Sequence, residues 1–415
     1  MAVDTPARIA ILGAGPIGLE AALYARYLGY DVDLYERGRV AEHLRQWGHV
    51  RLFTPFSANS SPLGVAALAA QDTDWKPPAA DALLAARELV ERYLVPLALS
   101  DLLADCLHER SEIVTVGRGA LLKGDLSGEE RAEADFRLLL RSHGAAGEPL
   151  GDRFATADVV IDATGVFCQH NWLGQGGLPA IGESAAAPHI EYGLPDILGR
   201  DREHYAHHHT LVVGAGHSAA AAVVALARLG HEAPYTRVTW VVRRDSEADG
   251  GPIRRIAGDP WIERDRLACS ANQLIGGEIG HLSFLPGTAV EQITWHGSGH
   301  PFQVRLAGRQ AVEMEVDRIV GNVGFRPNGQ IYAELQVAED PATAAPTRWF
   351  AEQEPAALVT AEPDFYVLGA KSLGRVSQFT IADGLKQIRQ LFTIIGDRPD
   401  LDLYSGQRLA AYVRR

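Results

Sequence analysis

The residues best suited to chemistry in this sequence are glycines at fixed spacing. Gly13-Ala14-Gly15-Pro16-Ile17-Gly18 matches G-x-G-x-x-G. In that pattern the first glycine permits a tight turn, the second lets backbone reach a pyrophosphate, and the third lets a helix approach a strand. A helix opening there offers unpaired N–H groups and the positive end of its dipole to an anion. Glu36 stands at the end of the next apolar run, where a carboxylate accepts the hydroxyls of an adenosine ribose and repels a 2′-phosphate.

A second copy reads Gly214-Ala215-Gly216-His217-Ser218-Ala219, with a small residue in the third glycine's place. Its following run, Val238–Val242, ends in Arg243 and Arg244 rather than an acid. Guanidinium forks suit a ribose 2′-phosphate by charge and bidentate geometry, so this copy favours NADPH over NADH. The alternative for the arginines is solvated charge at a strand end.

The elements that must position these motifs follow from periodicity. Arg8–Leu12 predicts a strand, Ile17–Leu28 a helix and Asp31–Tyr35 a second strand, together one parallel crossover unit. Apolar positions between Ala79 and Glu109 recur at helical spacing, interrupted by Pro96. From Ile113 to Ile161, three or four strand-like runs predict an antiparallel meander that closes at Asp162-Ala163-Thr164-Gly165. The same order then recurs, with a strand at Leu211–Val213, an Ala-rich helix, a strand at Val238–Val242 and a meander from about Val290 to Val320. A strand at Phe365–Leu368 and a helix from about Thr380 to Ile395 are expected to return to the first domain.

The expected fold class is therefore α/β, with two Rossmann-like three-layer dinucleotide-binding domains, the second inserted in the first. The expected boundaries are 1–165, 166–325 and 326–415. Residues 250–275 lie where the second crossover would normally be brief, which suggests a substrate or lid element, or else a surface insertion.

Composition narrows the partners. The chain has 415 residues, 47% hydrophobic and 22% charged, with 39 Lys plus Arg against 52 Asp plus Glu, a formal charge of −13. No basic stripe suits a nucleic-acid backbone. The stretch Ala219–Ala227 is far shorter than a spanning helix, so no membrane partner is expected. Three widely spaced cysteines, Cys106, Cys168 and Cys269, form no redox pair or zinc pattern, which fits a reducing, cytoplasmic setting. A homodimer is the default expectation for a soluble enzyme. His204 and His207–His209 read as a solvated loop rather than a metal site, and Cys168 as inert packing, with a redox role as its alternative.

On these motifs, together with Ala163-Thr164-Gly165 and Asn322-Val-Gly-Phe-Arg-Pro327, the chain resembles the two-dinucleotide-binding-domain flavoproteins. That superfamily includes the pyridine nucleotide-disulfide reductases and the flavin-containing monooxygenases, and the resemblance covers about residues 8 to 395. It implies FAD at Gly13, Ala14, Gly15, Pro16, Ile17, Gly18, Glu36 and Arg37, with Trp47, Thr54, Val116, Gly165, Gly369 and Asp383 as further contacts. It implies NADPH at Gly214, Gly216, His217, Ser218, Arg243 and Arg244.

The activity implied is a flavin monooxygenase that uses molecular oxygen, through a flavin C4a-hydroperoxide, to oxygenate a nucleophilic small-molecule substrate. The alternatives are a reductase passing electrons to a quinone or carrier, and a non-catalytic redox sensor. No C-x-x-C or C-x4-C is present, and the F-x-G-x-x-x-H signature of the monooxygenases is unmatched. Gly369-Ala370 stands where many relatives carry Gly-Asp. Asn59-Ser60-Ser61 resembles the T-N-x-S-K stretch of the monooxygenases, which makes Asn59 the candidate catalytic residue, with turn capping as its alternative.

Overall fold

The computed structural model describes residues 6–245, 251–277 and 279–405. It divides into two compact units, residues 1–169 with 326–415, and residues 170–325.

The first unit opens with β1, Arg8–Leu12, which is buried along most of its length. Helix α1, Pro16–Tyr27, follows with proline in its first turn, where the missing N–H costs nothing. Its alanines and leucines pack under the sheet, and the chain turns back at Gly29 into β2, Asp31–Tyr35. Short strand β3 is Leu107–His108. Strands β4, Ser111–Arg118, β5, Phe136–His143, and β6, Pro149–Ala157, form a three-stranded antiparallel sheet.

The last run of the expected meander, β7, Val159–Asp162, leaves that sheet and pairs in parallel with β1. All four of its residues are buried, which is the pattern of a parallel strand covered on both faces.

The expected helical stretch from Ala79 begins only at Ala86 and runs to Ala98, with one wide turn over Val90–Leu94 just before Pro96. Proline cannot donate to the carbonyl four residues back, and the Arg92 carbonyl instead accepts from the Trp75 indole at 3.2 Å.

The second unit repeats the plan. Its strands are β8, His209–Val213, β9, Arg237–Val242, β10, Leu282–Pro286, β11, Thr288–Thr294, β12, Phe302–Gly308, β13, Val312–Val316, and β14, Arg318–Gly321. Strands β10-β9-β8-β14 form a parallel sheet and β11-β12-β13 an antiparallel one. The long helix His217–Glu232 joins β8 to β9.

Between β9 and β10 runs a second helix, Ile262–Gly276, which packs against the first through buried Ala268 and Ala271. The stretch expected as a lid or insertion is thus, over its described part, a sheet crossover. Asn272 anchors it by bonding both the N–H and the carbonyl of Ile253, at 3.0 and 2.9 Å. Residues 246–250 lie outside the described residues.

The chain then returns to the first unit with β15, Phe365–Val367, completing the parallel order β15-β7-β1-β2-β3. Helix Ile381–Ile395 closes the fold, capped by Thr380. In both units a motif strand lies between the strand that follows its helix and one from after the meander (β2-β1-β7 and β9-β8-β14). That reversal of strand order opens a crevice at the strands' carboxyl ends. Among the described residues no helix is long and apolar enough to cross a membrane.

Candidate dinucleotide sites

In the first unit the glycine turn hangs from the end of β1. Gly13 has φ +94° and its N–H donates to Tyr35 O at 2.7 Å. A Cβ at Gly13 would come within 2.9 Å of Ala163 O, and one at Gly18 would collide with Gly13 O. Gly15 is different, because a Cβ there would meet no atom within 4 Å. Two glycines are therefore needed for packing and one faces open space at the start of α1, where a phosphate has room to approach backbone N–H groups. Buried Ala14 gives its N–H to Glu36 Oε2 at 2.9 Å, and Gly38 gives its own to Oε1 at 2.8 Å. Burial raises the Glu36 carboxyl above its usual value, opposed by those two donors.

Behind the turn lies a polar set that sequence reading did not single out. Lys371 and Asp162 are both wholly buried, with Nζ 2.6 Å from Oδ2. Lys371 also reaches Thr164 Oγ1 at 3.1 Å, while Asp162 Oδ1 accepts from the Thr164 N–H and hydroxyl at 3.0 and 2.6 Å. The pair ties the turn after β15 to the Ala163–Gly165 turn after β7. Gly165 follows with φ +71°. Gly369, φ +73°, packs on Ile17 and is held by Gln387 Oε1, which accepts its N–H at 2.8 Å. The one available signal was position: Asp162 directly precedes Ala-Thr-Gly, and Lys371 lies two residues past Gly369.

Three expected contacts have local duties. The Asp383 carboxylate accepts the Thr380 N–H at 2.9 Å and its hydroxyl at 2.7 Å, so it serves the cap of the last helix. Asn59 gives its amide to Thr54 O, Thr54 Oγ1 and Pro55 O at 2.9, 2.7 and 2.9 Å, and accepts from Thr54 Oγ1 at 3.0 Å. That is the turn-capping arrangement. Val116 is wholly buried between the sheets with Phe136 and Leu138, leaving only its backbone for a ligand. Trp47 is half-buried at the end of α2, Glu42–Gln46, and Arg37 is exposed.

The second unit has a matching turn. Gly214, φ +142°, donates to Val241 O at 3.1 Å, and a Cβ there would collide with Asn322 O. A Cβ at Gly216 would meet nothing within 4 Å. Trp240 Nε1 donates to Gly214 O at 2.9 Å, and Asn322 is fixed by donating to Gly193 O at 2.8 Å. His217 and Ser218 open the helix and are half-buried. Burial and the Arg264 charge lower the His217 imidazole below its usual value, with Asp259 opposing. Arg243 and Arg244 are exposed at the end of β9. The next acid, Asp245, pairs with Arg309 at 3.2 Å, which offsets its repulsion of an anion at the arginines.

In the histidine group His204 and His207 are exposed, as a solvated loop requires, while His208 and His209 are half-buried. His207 and His208 bind the carbonyls of Pro234 and Ala206 at 2.7 Å, and His209 bridges Glu315 O and Thr239 Oγ1 at 3.0 and 2.9 Å. Cys168, expected as packing, is exposed.

No protein-family model matches the chain, and no curated protein sequence matches it. Solved structures do. The bacillithiol disulfide reductase of Bacillus cereus superposes with a TM-score of 0.67 at 16% identity, covering 94% of this chain and 99% of that one. The desferrioxamine-pathway cadaverine monooxygenase of Erwinia amylovora, solved bound to FAD, gives 0.61 at 14% identity, covering 95% of each chain. The ornithine N-hydroxylase of Kutzneria sp. 744, solved with reduced FAD and NADP⁺, gives 0.57 at 15%, covering 94% and 99%. The chain has the α/β fold of these two-domain flavoproteins, with a parallel-sheet unit inserted in another.

Proposed function

We propose that the protein is an FAD- and NADPH-dependent oxidoreductase, and within that class a monooxygenase acting on a nucleophilic small molecule. The observation that carries the cofactor reading is the paired cradle: two strand–turn–helix motifs, each with one glycine facing open space, followed by Glu36 in one and by Arg243 and Arg244 in the other.

In this reading FAD, when bound, supplies the electron-transfer and oxygen chemistry, with electrons drawn from NADPH. The chain's residues bind and orient. Backbone N–H groups at the start of α1 receive the pyrophosphate, and the free lone pairs of Glu36 accept ribose hydroxyls. The buried Lys371–Asp162 pair keeps the neighbouring turns in register. Arg243 and Arg244 select the 2′-phosphate. Asn59 acts by holding the Thr54–Pro55 turn rather than by touching a reacting atom.

The finer reading rests on the sequence resemblance and on cysteine placement. Cys106, Cys168 and Cys269 are all free, so no dithiol pair of the disulfide-reductase kind is present. A reductase that hands electrons to a quinone or protein carrier is the second reading, since the chain superposes on a disulfide reductase as well as on monooxygenases.

The deciding experiment supplies NADPH, labelled dioxygen and a panel of amines and sulfides to the FAD-loaded protein. Incorporation of label into product, coupled to NADPH consumption, is expected. NADPH oxidation only with a quinone or carrier, and no labelled product, would establish the reductase. Failure of the wild type to retain FAD while Gly15→Val behaves identically would overturn the cofactor reading itself.

A further inference from the structure

Beside the first glycine cradle, and sharing its Arg37, one cluster brings a nucleophile, a base and a cation together. Cys168 Sγ lies 3.6 Å from His43 Nε2 and 3.6 Å from Arg37 Nη2, both within sulfur hydrogen-bond reach. The three come from separate elements: Arg37 follows β2, His43 lies in α2, and Cys168 follows the Ala163–Gly165 turn. Cys168 is exposed, and the Phe167 ring lies 5.8 Å from the His43 ring.

We propose that Cys168 is a modification site, a thiolate that undergoes exchange with small soluble disulfides. The Cys168 thiolate attacks one sulfur of the disulfide, a new S–S bond to Cys168 forms, and the old S–S bond breaks. The departing thiolate takes a proton from the His43 imidazolium, so the disulfide is the only oxidant consumed. The geometry fits the needs of a reactive cysteine: access, an imidazole partner and nearby positive charge.

The electrostatics agree. Packing around the sulfur would raise the thiol, but the His43 hydrogen bond and the charges of Arg37, His43 and Lys371 bring it below its usual value. His43 is correspondingly raised by its bond to Cys168, helped by Gln46 and opposed by burial and by Arg37. The other cysteines lack this setting. Burial pushes Cys106 up to about 11, and half-buried Cys269 has the Asp265 carboxylate 3.9 Å away. The proposal does not depend on the cofactor reading.

The test treats the FAD-loaded wild type with glutathione disulfide and maps adducts by peptide mass spectrometry. In parallel, iodoacetamide alkylation of each cysteine is followed against pH, with free N-acetylcysteine as the comparison thiol. The expected result is a single glutathionyl group on Cys168 and an alkylation midpoint for Cys168 below that of the comparison thiol. His43→Gln should move that midpoint upward and slow alkylation at neutral pH by roughly threefold or more. A Cys168 midpoint at or above that of N-acetylcysteine, or glutathionylation of Cys269 in preference to Cys168, would overturn the proposal. So would a folded His43→Gln protein with an unmoved midpoint. The wild-type comparison decides the matter if that variant does not fold.

Discussion

At the residue scale, the two cradles differ most in the group that ends the second strand. Glu36 is tied to backbone by two hydrogen bonds, whereas Arg243 and Arg244 are exposed. A carboxylate held in place discriminates by repulsion, and arginines at a strand end discriminate by attraction. Replacing both arginines with alanine should raise the Michaelis constant for NADPH by about 10- to 100-fold and that for NADH by less than about threefold, the loss of one or two charge-assisted contacts. Steady-state kinetics with both nucleotides measures this, and unchanged selectivity would remove the arginines from the site. Gly15→Val should cut FAD retention by at least about 100-fold, because a branched side chain would fill the one open position of the turn. Flavin absorbance after desalting reads the outcome.

At the element scale, α1 carries an unusual load. Glu20 sits on its buried face, accepts from Ser61 Oγ at 2.7 Å, and has its pKa pushed up to about 7 by burial. Ser61 in turn caps helix Pro62–Gln71 by accepting from Gly64 N–H, so one carboxyl links two helices. The folded protein holds the Glu20 proton up to about pH 7, while the unfolded chain releases it near 4.5. Stability contributed by this group is therefore complete below about 4.5, falls as pH rises through that window, and is lost above 7. Glu20→Gln should then be more stable than wild type at pH 8 by about 2–3 kcal/mol and nearly equal to it at pH 4.5. Denaturant titrations at the two pH values test the sign. The Lys371–Asp162 pair behaves differently, since removing one partner strands a buried charge. Lys371→Met should cost about 3–5 kcal/mol, and adding Asp162→Asn should restore part of it, in a double-mutant cycle read by thermal melts.

At the scale of the whole molecule, if each of the two candidate cradles takes its nucleotide as proposed above, the chain should be stabilised separately by two ligands. Saturating FAD, at about 100 times its dissociation constant, should add about 2.7 kcal/mol of apparent stability to the unit built from residues 1–169 and 326–415. NADP⁺ should act on residues 170–325, with NAD⁺ much less effective. Differential scanning calorimetry with each ligand, alone and together, checks this. A single transition shifted equally by either ligand would mean that the two units unfold as one.

The fold class was legible because its signals are local. A glycine hexad between an apolar run and an Ala-rich helix occurs twice in the sequence, and the β1 and β2 boundaries follow directly from apolar runs ended by glycine or charge. The sequence by itself therefore determined the class, the repeat and the candidate cradles. Sheet membership was decided elsewhere: Val159–Asp162 reads like any short strand, and only burial on both faces assigns it to β1 rather than to the meander. The residues 250–275 looked like an insertion because a crossover helix rich in charge has weak periodicity, yet the second sheet needs it to reach β10. Asn59 reads as cap or catalyst in the sequence, and the bonds from its amide to Thr54 and Pro55, residues five and four positions away, are what the tertiary structure adds. Lys371 and Asp162 are 209 residues apart, and Cys168 and His43 are 125 apart. Such pairs leave no periodic trace, because their partners are chosen by chain topology rather than by neighbours, and only the tertiary structure decides them.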